Sequence, residues 1–153
     1  MIRKTEIDTI IIHCTATPAG REVSRWELDS WHKAEGFEPY IDPKTGAKTY
    51  AGYHLLVHLD GSYERLRPDS HRGQHCREDN MNNRAIGICY VGGCDINNRP
   101  CDTRTEAQKR TLLTLVRTMR GRYPWARIIG HRDVKGVRKA CPSFDVRREY
   151  KDI

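Results

Sequence analysis

The chain has 153 residues, enough for one compact domain and too few for two ordinary ones, so we expect a single domain over residues 1–153. Charged residues make up 31% of the chain and hydrophobic residues 37%, which excludes a disordered protein. No apolar run approaches the roughly 20 residues that a membrane-spanning helix needs, so we expect no membrane span.

The first residues carry the charges of a signal peptide, but no apolar stretch follows them. We therefore expect a protein made in the cytoplasm without a signal peptide, which would reach any target outside the cell only after release or export by other machinery. In that setting the six cysteines are expected to be reduced thiols.

The net charge of +7 is unevenly distributed. Residues 99–153 hold 15 of the 27 lysines and arginines but only 6 of the 20 acidic residues. A basic last third favours an anionic partner such as wall polymer, nucleic acid or lipid headgroups, although a solvated face that keeps the protein soluble explains the charge equally well.

The first predicted element is a strand over residues 8–13, a β-branched apolar run that ends on His13. A helix follows, because Ser24 and Glu27 have the spacing of a capping box and an apolar stripe continues to Gly36.

The middle of the chain is rich in turn signals. Residues 37–51 contain prolines and glycines and predict an exposed excursion. Residues 53–59 and 62–66 are strand-like, and the Asp60-Gly61 pair between them predicts a hairpin.

The polar stretch over residues 67–84 is long for a loop and is a candidate wall of a binding groove. It leads into a predicted strand over residues 85–91. A helix then begins at Thr105, capped together with Gln108, and its apolar periodicity runs to Met119, before Gly121 and Pro124.

Residues 127–131 predict a strand that delivers His131 at its end, and Ser143 is expected to cap a last helix that runs through Tyr150. The resulting order is β, α, β-hairpin, β, α, β, α. Such alternation predicts an α/β fold with a central mixed sheet flanked by helices.

Two predicted strands thus end on histidines, and strand ends in α/β folds are where sites form. Cys141 lies ten residues beyond His131, in a loop long enough to return to that edge. Together with His13, these side chains could fill three corners of a tetrahedral zinc site and leave the fourth for water. Zinc lowers the pKa of bound water to roughly 7 and polarises carbonyls, which favours hydrolysis. The alternative to a zinc site is that these strand-end histidines have structural roles.

Five motifs carry a family resemblance: I-I-I-H-C-T-A-T (10–17), A-G-Y-H-L-L-V-H-L-D-G (51–61), R-A-I-G-I-C-Y-V-G-G (84–93), I-I-G-H-R-D-V (128–134) and K-A-C-P-S-F-D-V (139–146). Their order and spacing over nearly the whole chain resemble the zinc-dependent N-acetylmuramoyl-L-alanine amidases. That family includes phage lysozyme-type amidases and animal peptidoglycan recognition proteins. The resemblance implies bacteriolytic cleavage of peptidoglycan, of the phage or prophage endolysin type.

The resemblance also implies roles for particular residues. It places one zinc ion on His13, His131 and Cys141, the set already grouped from the strand ends. It implies that Tyr53 and Lys139 are catalytic: the ammonium would stabilise an oxyanion and the phenol would orient water or the substrate carbonyl.

Other polar residues are assigned less directly. His71 and Asn83, on the long polar segment, are predicted to contact glycan or peptide, with ordinary loop hydrogen bonds as the alternative. Residues 37–51 and 72–82 depart from the family pattern, so substrate preference is expected there. Four further histidines are left out of the predicted site: His32, His54, His58 and His75.

Two rival functions stay open on the sequence alone. One is a peptidoglycan-binding protein without activity, against which Cys141 and Lys139 argue. The other is a regulatory protein that uses the basic surface. We expect a monomer that binds peptidoglycan or muropeptides, and we do not expect nucleic acid to be its partner.

Overall fold

The computed structural model describes residues 1–3 and 5–153. Its strands are β1 (Thr9–Cys14), β2 (Thr17–Pro18), β3 (Tyr40–Ile41), β4 (Lys48–Thr49), β5 (Leu55–Val57), β6 (Tyr63–Arg65), β7 (Ala85–Tyr90), β8 (Gly93–Cys94) and β9 (Arg127–Gly130). Its α-helices are α1 (Arg25–Ala34), α2 (Met81–Arg84), α3 (Glu106–Arg122) and α4 (Val146–Glu149). Short 3-10 helices cover Glu78–Asn80 and His131–Asp133.

A five-stranded sheet with the order β6-β5-β7-β1-β9 forms the centre of the fold. Strands β5, β7, β1 and β9 are parallel, and β6 pairs antiparallel with β5 across the predicted hairpin. The predicted mixed sheet with flanking helices is therefore confirmed. Strands β2 and β8, and β3 and β4, form two additional small sheets.

One face of the sheet is covered by the long helix α3. Ile10 and Ile12 of β1 are fully buried there, in one cluster with Leu112 and Val116 of the helix. Because side chains alternate along a strand, these two isoleucines share a face. Burying each such side chain stabilises the fold by about 1.5–3 kcal/mol.

The starts of the two longer helices follow the sequence pattern closely. Thr105 and Gln108 form the full capping box at α3. Ser24 caps α1 by accepting a hydrogen bond from the Glu27 amide at 3.1 Å. The Glu27 carboxylate pairs instead with Arg21, so the second half of the predicted box is replaced by an ion pair.

The predicted cap of the last helix is wrong. Asp145, and not Ser143, caps α4 by accepting a hydrogen bond from the Arg148 amide at 3.1 Å. Ser143 has a φ of 69°, and its hydroxyl donates to the Gly93 carbonyl at 2.9 Å. The serine therefore fixes the preceding loop to β8 and is unavailable to the helix.

The other face of the sheet carries Ile11 and His13, which alternate with the isoleucines under α3. Two separate apolar clusters cover this face. One joins α1 to the sheet through Val23, Leu28, Ala51, Leu56, Leu66, Cys89 and Val91. The other joins the segment before β7 to the sheet through Ile11, Cys76, Met81, Ala85, Ile129 and Val134. The space between these clusters is where the candidate site forms.

Two segments predicted as irregular contain local structure. Residues 37–51 hold the β3–β4 hairpin. Within residues 67–84, the 3-10 helix Glu78–Asn80 runs into α2. Asn82 organises this segment, because its Oδ1 accepts hydrogen bonds from the amides of His75 and Cys76, both at 2.8 Å.

Among the described residues, no helix combines the length and apolar character needed to cross a bilayer. The cysteines form no disulfide. All six are free thiols, and only Cys101 is exposed.

Candidate metal centre and active site

The two strand-end histidines meet because their strands are parallel neighbours. In the β1–β9 register Ile12 lies opposite Gly130, so the residues that follow, His13 and His131, lie beside each other. Their ring centroids are 4.5 Å apart. The carboxylate of Asp133 accepts a hydrogen bond from the Gly130 amide at 2.8 Å, which holds the turn that presents His131.

Cys141 reaches the same place on a loop with several anchors. The Cys141 carbonyl accepts a hydrogen bond from the Arg132 amide at 2.8 Å, and the next carbonyl, that of Pro142, accepts one from the Tyr90 hydroxyl at 2.6 Å. The thiol lies 3.9 Å from Nδ1 of His13 and accepts a hydrogen bond from the Cys14 amide at 3.3 Å.

These three side chains fit a zinc ion. One donor atom from each of His13, His131 and Cys141 lies within 4.8 Å of the other two. Two imidazole nitrogens and one sulfur are ligands that zinc accepts, and three protein ligands with a fourth open position are typical of catalytic zinc sites. The sequence prediction that the three residues converge is met by this geometry.

Both imidazoles are in the protonation state that metal binding requires. Burial lowers the pKa of His13 well below its usual value, and His75, His131 and Lys139 lower it further. Burial and Lys139 also lower the pKa of His131, against a smaller opposing effect of Glu78. The two rings are therefore neutral near pH 7 and need release no proton on binding a metal.

Cys141 differs from the two histidines in its protonation state. Its hydrogen bond with the Cys14 thiol and its burial raise the pKa of Cys141. A metal ion would therefore have to displace a proton from this thiol, because the thiolate is the ligand form. The backbone N–H of Cys14 points at the sulfur and stabilises the negative charge that remains.

The three donors lie in a cavity of about 720 Å³, a size typical of ligand sites. Its floor contains residues 13–16 and Tyr53. One wall is the end of α1 and the residues after it: Leu28, Trp31, His32, Glu35, Gly36 and Phe37. The other wall is formed by residues 74–78 and Asn82, which agrees with the prediction that the long polar segment lines a groove.

The two predicted catalytic residues also line this cavity. The ring of Tyr53 lies 5.0 Å from that of His13, centroid to centroid. Burial, together with the neighbouring thiols of Cys89 and Cys141, raises the Tyr53 pKa well above its usual value, so its hydroxyl stays protonated. Lys139 is exposed at the rim, and its charge is felt by both histidines of the donor set.

The two predicted substrate contacts lie elsewhere. Of the described residues that line the cavity, none is His71 or Asn83. The ring of His71 packs edge-on against Tyr40 at 4.8 Å. The Asn83 carbonyl accepts hydrogen bonds from Arg3 at 2.8 Å and Thr5 at 2.6 Å. Their role toward substrate stays a prediction, and the observed contacts are those of loop-stabilising residues.

Two histidines that sequence reasoning left out do line the cavity. His75 places Nδ1 at 2.8 Å from Nε2 of His13, and burial lowers the pKa of His32 to about 4. His75 lies in an irregular stretch without hydrophobic periodicity. The sequence could have indicated it only through the prediction that this stretch lines a groove. His54 accepts a hydrogen bond from the Gly87 amide at 3.1 Å; its ring centroid is 5.8 Å from that of His75, but it does not line the cavity.

A second group of potential ligands, Cys76, Glu78 and His131, shares one histidine with the first. The Cys76 thiol donates to the Glu78 carboxylate at 3.5 Å. Burial and that carboxylate raise the Cys76 pKa to about 12. The pKa of the Cys141 thiol is raised as well, so protonation does not separate the two groups. The first group contains both strand-end histidines, His13 and His131, whereas the second contains only His131.

The fold places this donor set at the carboxyl ends of parallel strands, an arrangement typical of the zinc hydrolase class. Comparison with known proteins gives the family. The chain belongs to the N-acetylmuramoyl-L-alanine amidase family, whose model matches residues 3–144. The matched range includes every residue of the donor set, and the chain is an amidase of this family.

Curated relatives include phage proteins named endolysin. The one from Enterobacteria phage K11 is 34% identical over 149 residues, covering 97% of this chain and 89% of the relative. The one from Escherichia phage T7 is 34% identical over 146 residues, covering 95% and 87%.

Solved structures confirm the fold. The N-acetylmuramoyl-L-alanine amidase LysC from Clostridium intestinale superimposes with a TM-score of 0.69 at 25% identity, covering 94% of this chain and 80% of that one. Drosophila PGRP-LB superimposes with a TM-score of 0.70 at 17% identity, covering 99% and 84%. The second likeness concerns the fold alone.

Proposed function

We propose that this amidase is a zinc enzyme of the phage endolysin type, which hydrolyses the bond between N-acetylmuramic acid and L-alanine in peptidoglycan. The observation that carries the proposal is the convergence of His13, His131 and Cys141 on the floor of a substrate-sized cleft. Membership of the amidase family and likeness to phage endolysins support the reaction and the setting.

His13, His131 and Cys141 would hold one zinc ion. When bound, zinc supplies a Lewis acid that activates water near neutral pH and polarises an amide carbonyl. The protein prepares the ligands: burial keeps the imidazoles neutral, and the Cys14 amide stabilises the thiolate.

The two walls of the cleft suit the two parts of the substrate. Trp31, His32 and Phe37 give the α1 wall flat rings on which sugars can pack, whereas Arg77 and Glu78 give the other wall charged groups for a peptide. We therefore place the glycan along α1 and the stem peptide along residues 74–78. The scissile amide then lies over the donor set between them.

Lys139 and Tyr53 act on that amide from the cavity lining. The Lys139 ammonium would stabilise the negative charge that develops on the carbonyl oxygen; because Lys139 is exposed, solvent reduces the effect below that of a dry site. The Tyr53 hydroxyl, held protonated by burial, would donate a hydrogen bond that orients the attacking water or the carbonyl.

The test is an assay of both products. The purified protein is incubated with peptidoglycan, with and without a zinc chelator, and new alanine amino termini are counted against new reducing sugar ends. We expect chelator-sensitive amino termini without reducing ends. Reducing ends would identify a glycosidase, and the absence of both products would favour a peptidoglycan-binding protein without activity. The proposed setting is the cell wall, reached after release or export by other machinery.

The basic last third is proposed to hold the protein on the anionic wall. Arg120, Arg127, Arg147 and Lys151 line a second cavity of about 400 Å³, where cations would attract polyanions. We expect Arg127→Glu with Lys151→Glu to weaken binding to intact walls while leaving cleavage of a small soluble muropeptide unchanged. Tight, salt-sensitive binding of DNA or RNA would instead support the regulatory rival.

A further inference from the structure

The two ring nitrogens of His13 face different partners. Nδ1 lies 3.9 Å from Sγ of Cys141, on the side of the donor set. Nε2 lies 2.8 Å from Nδ1 of His75, and the two rings meet edge to face, with an interplanar angle of 87°. His13 therefore sits between the metal ligands and a second histidine, and its side chain is almost fully buried.

This arrangement fixes where the protons must be. A neutral imidazole carries one N–H, so a ring that offers Nδ1 to a metal carries its proton on Nε2. In the part of the chain that the structure describes, the His13 Nε2–H faces the nitrogen 2.8 Å away, which makes Nδ1 of His75 the acceptor. His75 must in turn carry its own proton on Nε2. Among the described residues, His75 Nε2 is buried without a hydrogen-bond partner, and Nδ1 makes the contact with His13.

The His75 ring occupies a space shaped for it. A Cβ atom added to Gly73 would lie 2.3 Å from the ring, and one added to Gly87 would lie 2.8 Å from it. The backbone beneath the ring is also fixed, because the His75 amide donates to Oδ1 of Asn82 at 2.8 Å. Two glycines and an anchored backbone thus hold the ring in one orientation.

We propose that His75 is a positioning residue for the metal centre: its Nδ1 accepts the Nε2 proton of His13 and thereby fixes the tautomer and ring plane that present His13 Nδ1 to the metal. The inference rests on the proposed function, since it requires His13 to be a zinc ligand. Hydrogen bonds that orient ligating histidines are a general feature of metal sites, and their loss typically weakens metal affinity by about 10- to 100-fold.

The experiment uses three variants of the full chain. His75→Phe keeps a ring but removes the acceptor, His75→Asn restores an acceptor near the Nδ1 position, and His58→Asn exchanges a hydrogen-bonded histidine away from the site as the matched control. Zinc affinity is measured by competition with a chromogenic chelator. The His13 tautomer is read from ring ¹⁵N shifts of the zinc-free and zinc-loaded protein, without any assay of activity.

We expect the Nε2–H tautomer of His13 in the wild-type protein, with and without zinc. His75→Phe should weaken zinc binding by about 10- to 100-fold and populate both tautomers in the zinc-free state. His75→Asn should recover most of the affinity, and His58→Asn should match the wild type. A wild-type His13 with its proton on Nδ1 would overturn the proposal even if His75→Phe fails to fold, and so would wild-type zinc affinity in a folded His75→Phe.

Failure of the broader proposal gives different results. If the wild-type protein binds no zinc at His13, the metal assignment itself fails. If it binds zinc and cleaves peptidoglycan while His75→Phe keeps the wild-type zinc affinity and His13 tautomer, only the positioning role is wrong.

Discussion

Sγ of Cys141 lies 3.9 Å from Nδ1 of His13, although 128 positions separate the two residues in the chain. The contact depends on long-range structure at both ends. His13 is fixed by the pairing of β1 with β7 and β9, and the loop after Cys141 is fixed by the hydrogen bond from Tyr90 to Pro142. The donor set is thus a property of the folded sheet.

Replacing the thiol tests the donor set most simply. Cys141→Ser should lower zinc affinity and amidase activity by more than about 100-fold, because loss of a ligand costs more than loss of an outer hydrogen bond. Zinc content and release of alanine amino termini are the measurements. Cys101→Ser changes an exposed cysteine and should behave as wild type. Full cleavage by a zinc-free Cys141→Ser protein would contradict the assignment.

Much of this site could be predicted because regular structure places it. Parallel strands bring His13 and His131 to the same sheet end, and a ten-residue loop is long enough to return Cys141 there. His75 could not be predicted, since its position depends on the irregular segment before β7 and on the space left by Gly73 and Gly87.

The wrong cap at α4 has a similar origin. Ser143 and Asp145 both suit a helix start, and the choice between them is decided by a tertiary contact, the hydrogen bond from Ser143 to Gly93. Local pattern alone does not contain that contact.

Lys139 should affect turnover more than metal binding. We expect Lys139→Ala to lower kcat by about 100-fold, the lower end of the usual effect of removing an oxyanion donor, because the ammonium is partly solvated. Zinc affinity should stay within about threefold of wild type. Removing a group beyond the ligands lowers metal affinity by about 10-fold or more when that group orients a ligand, and Lys139 is not proposed to do so. Arg138→Ala, which removes a neighbouring exposed cation, is the control. Equal turnover by the two variants would remove Lys139 from the mechanism.

The Tyr53 hydroxyl can be tested without changing the ring. Tyr53→Phe should lower kcat by about 100-fold while the zinc-loaded protein keeps its metal. The comparison is Tyr63→Phe, at a position 54% exposed on the hairpin, measured on the same soluble muropeptide. A Tyr53→Phe enzyme with wild-type kcat would mean that the phenol serves packing alone.

Replacing two glycines by alanine should change the free energy of unfolding in opposite directions. Gly87→Ala places a methyl group 2.8 Å from the His75 ring and should destabilise the fold by about 1–3 kcal/mol. Gly121→Ala meets nothing within 4 Å and lies in α3, so it should stabilise by about 0.5–1 kcal/mol. Urea unfolding of both variants gives the comparison; the same sign for both would contradict the packing described around His75.

His58 predicts a pH dependence of stability. Burial acts to lower its pKa, but hydrogen bonds to Glu22 and Glu64 outweigh burial and raise it above the ordinary 6.5. A raised pKa means that the stabilisation is fully present below pH 6.5 and is lost as the pH rises through the folded-state pKa. The free-energy difference between wild type and His58→Asn should therefore be larger near about pH 5.5 than near about pH 9. A difference that grows with pH would contradict the sign.

The most direct test of the metal centre is a titration of the chelator-stripped protein with cobalt(II), which can replace zinc and absorbs visible light when bound. One sample is followed by its thiolate-to-cobalt absorption band and by its release of alanine amino termini from peptidoglycan. We predict that both signals rise together, saturate at one equivalent of metal and are absent from Cys141→Ser. Cleavage at full rate before any metal is added, or a cobalt site without a thiolate band, would contradict the assignment of His13, His131 and Cys141.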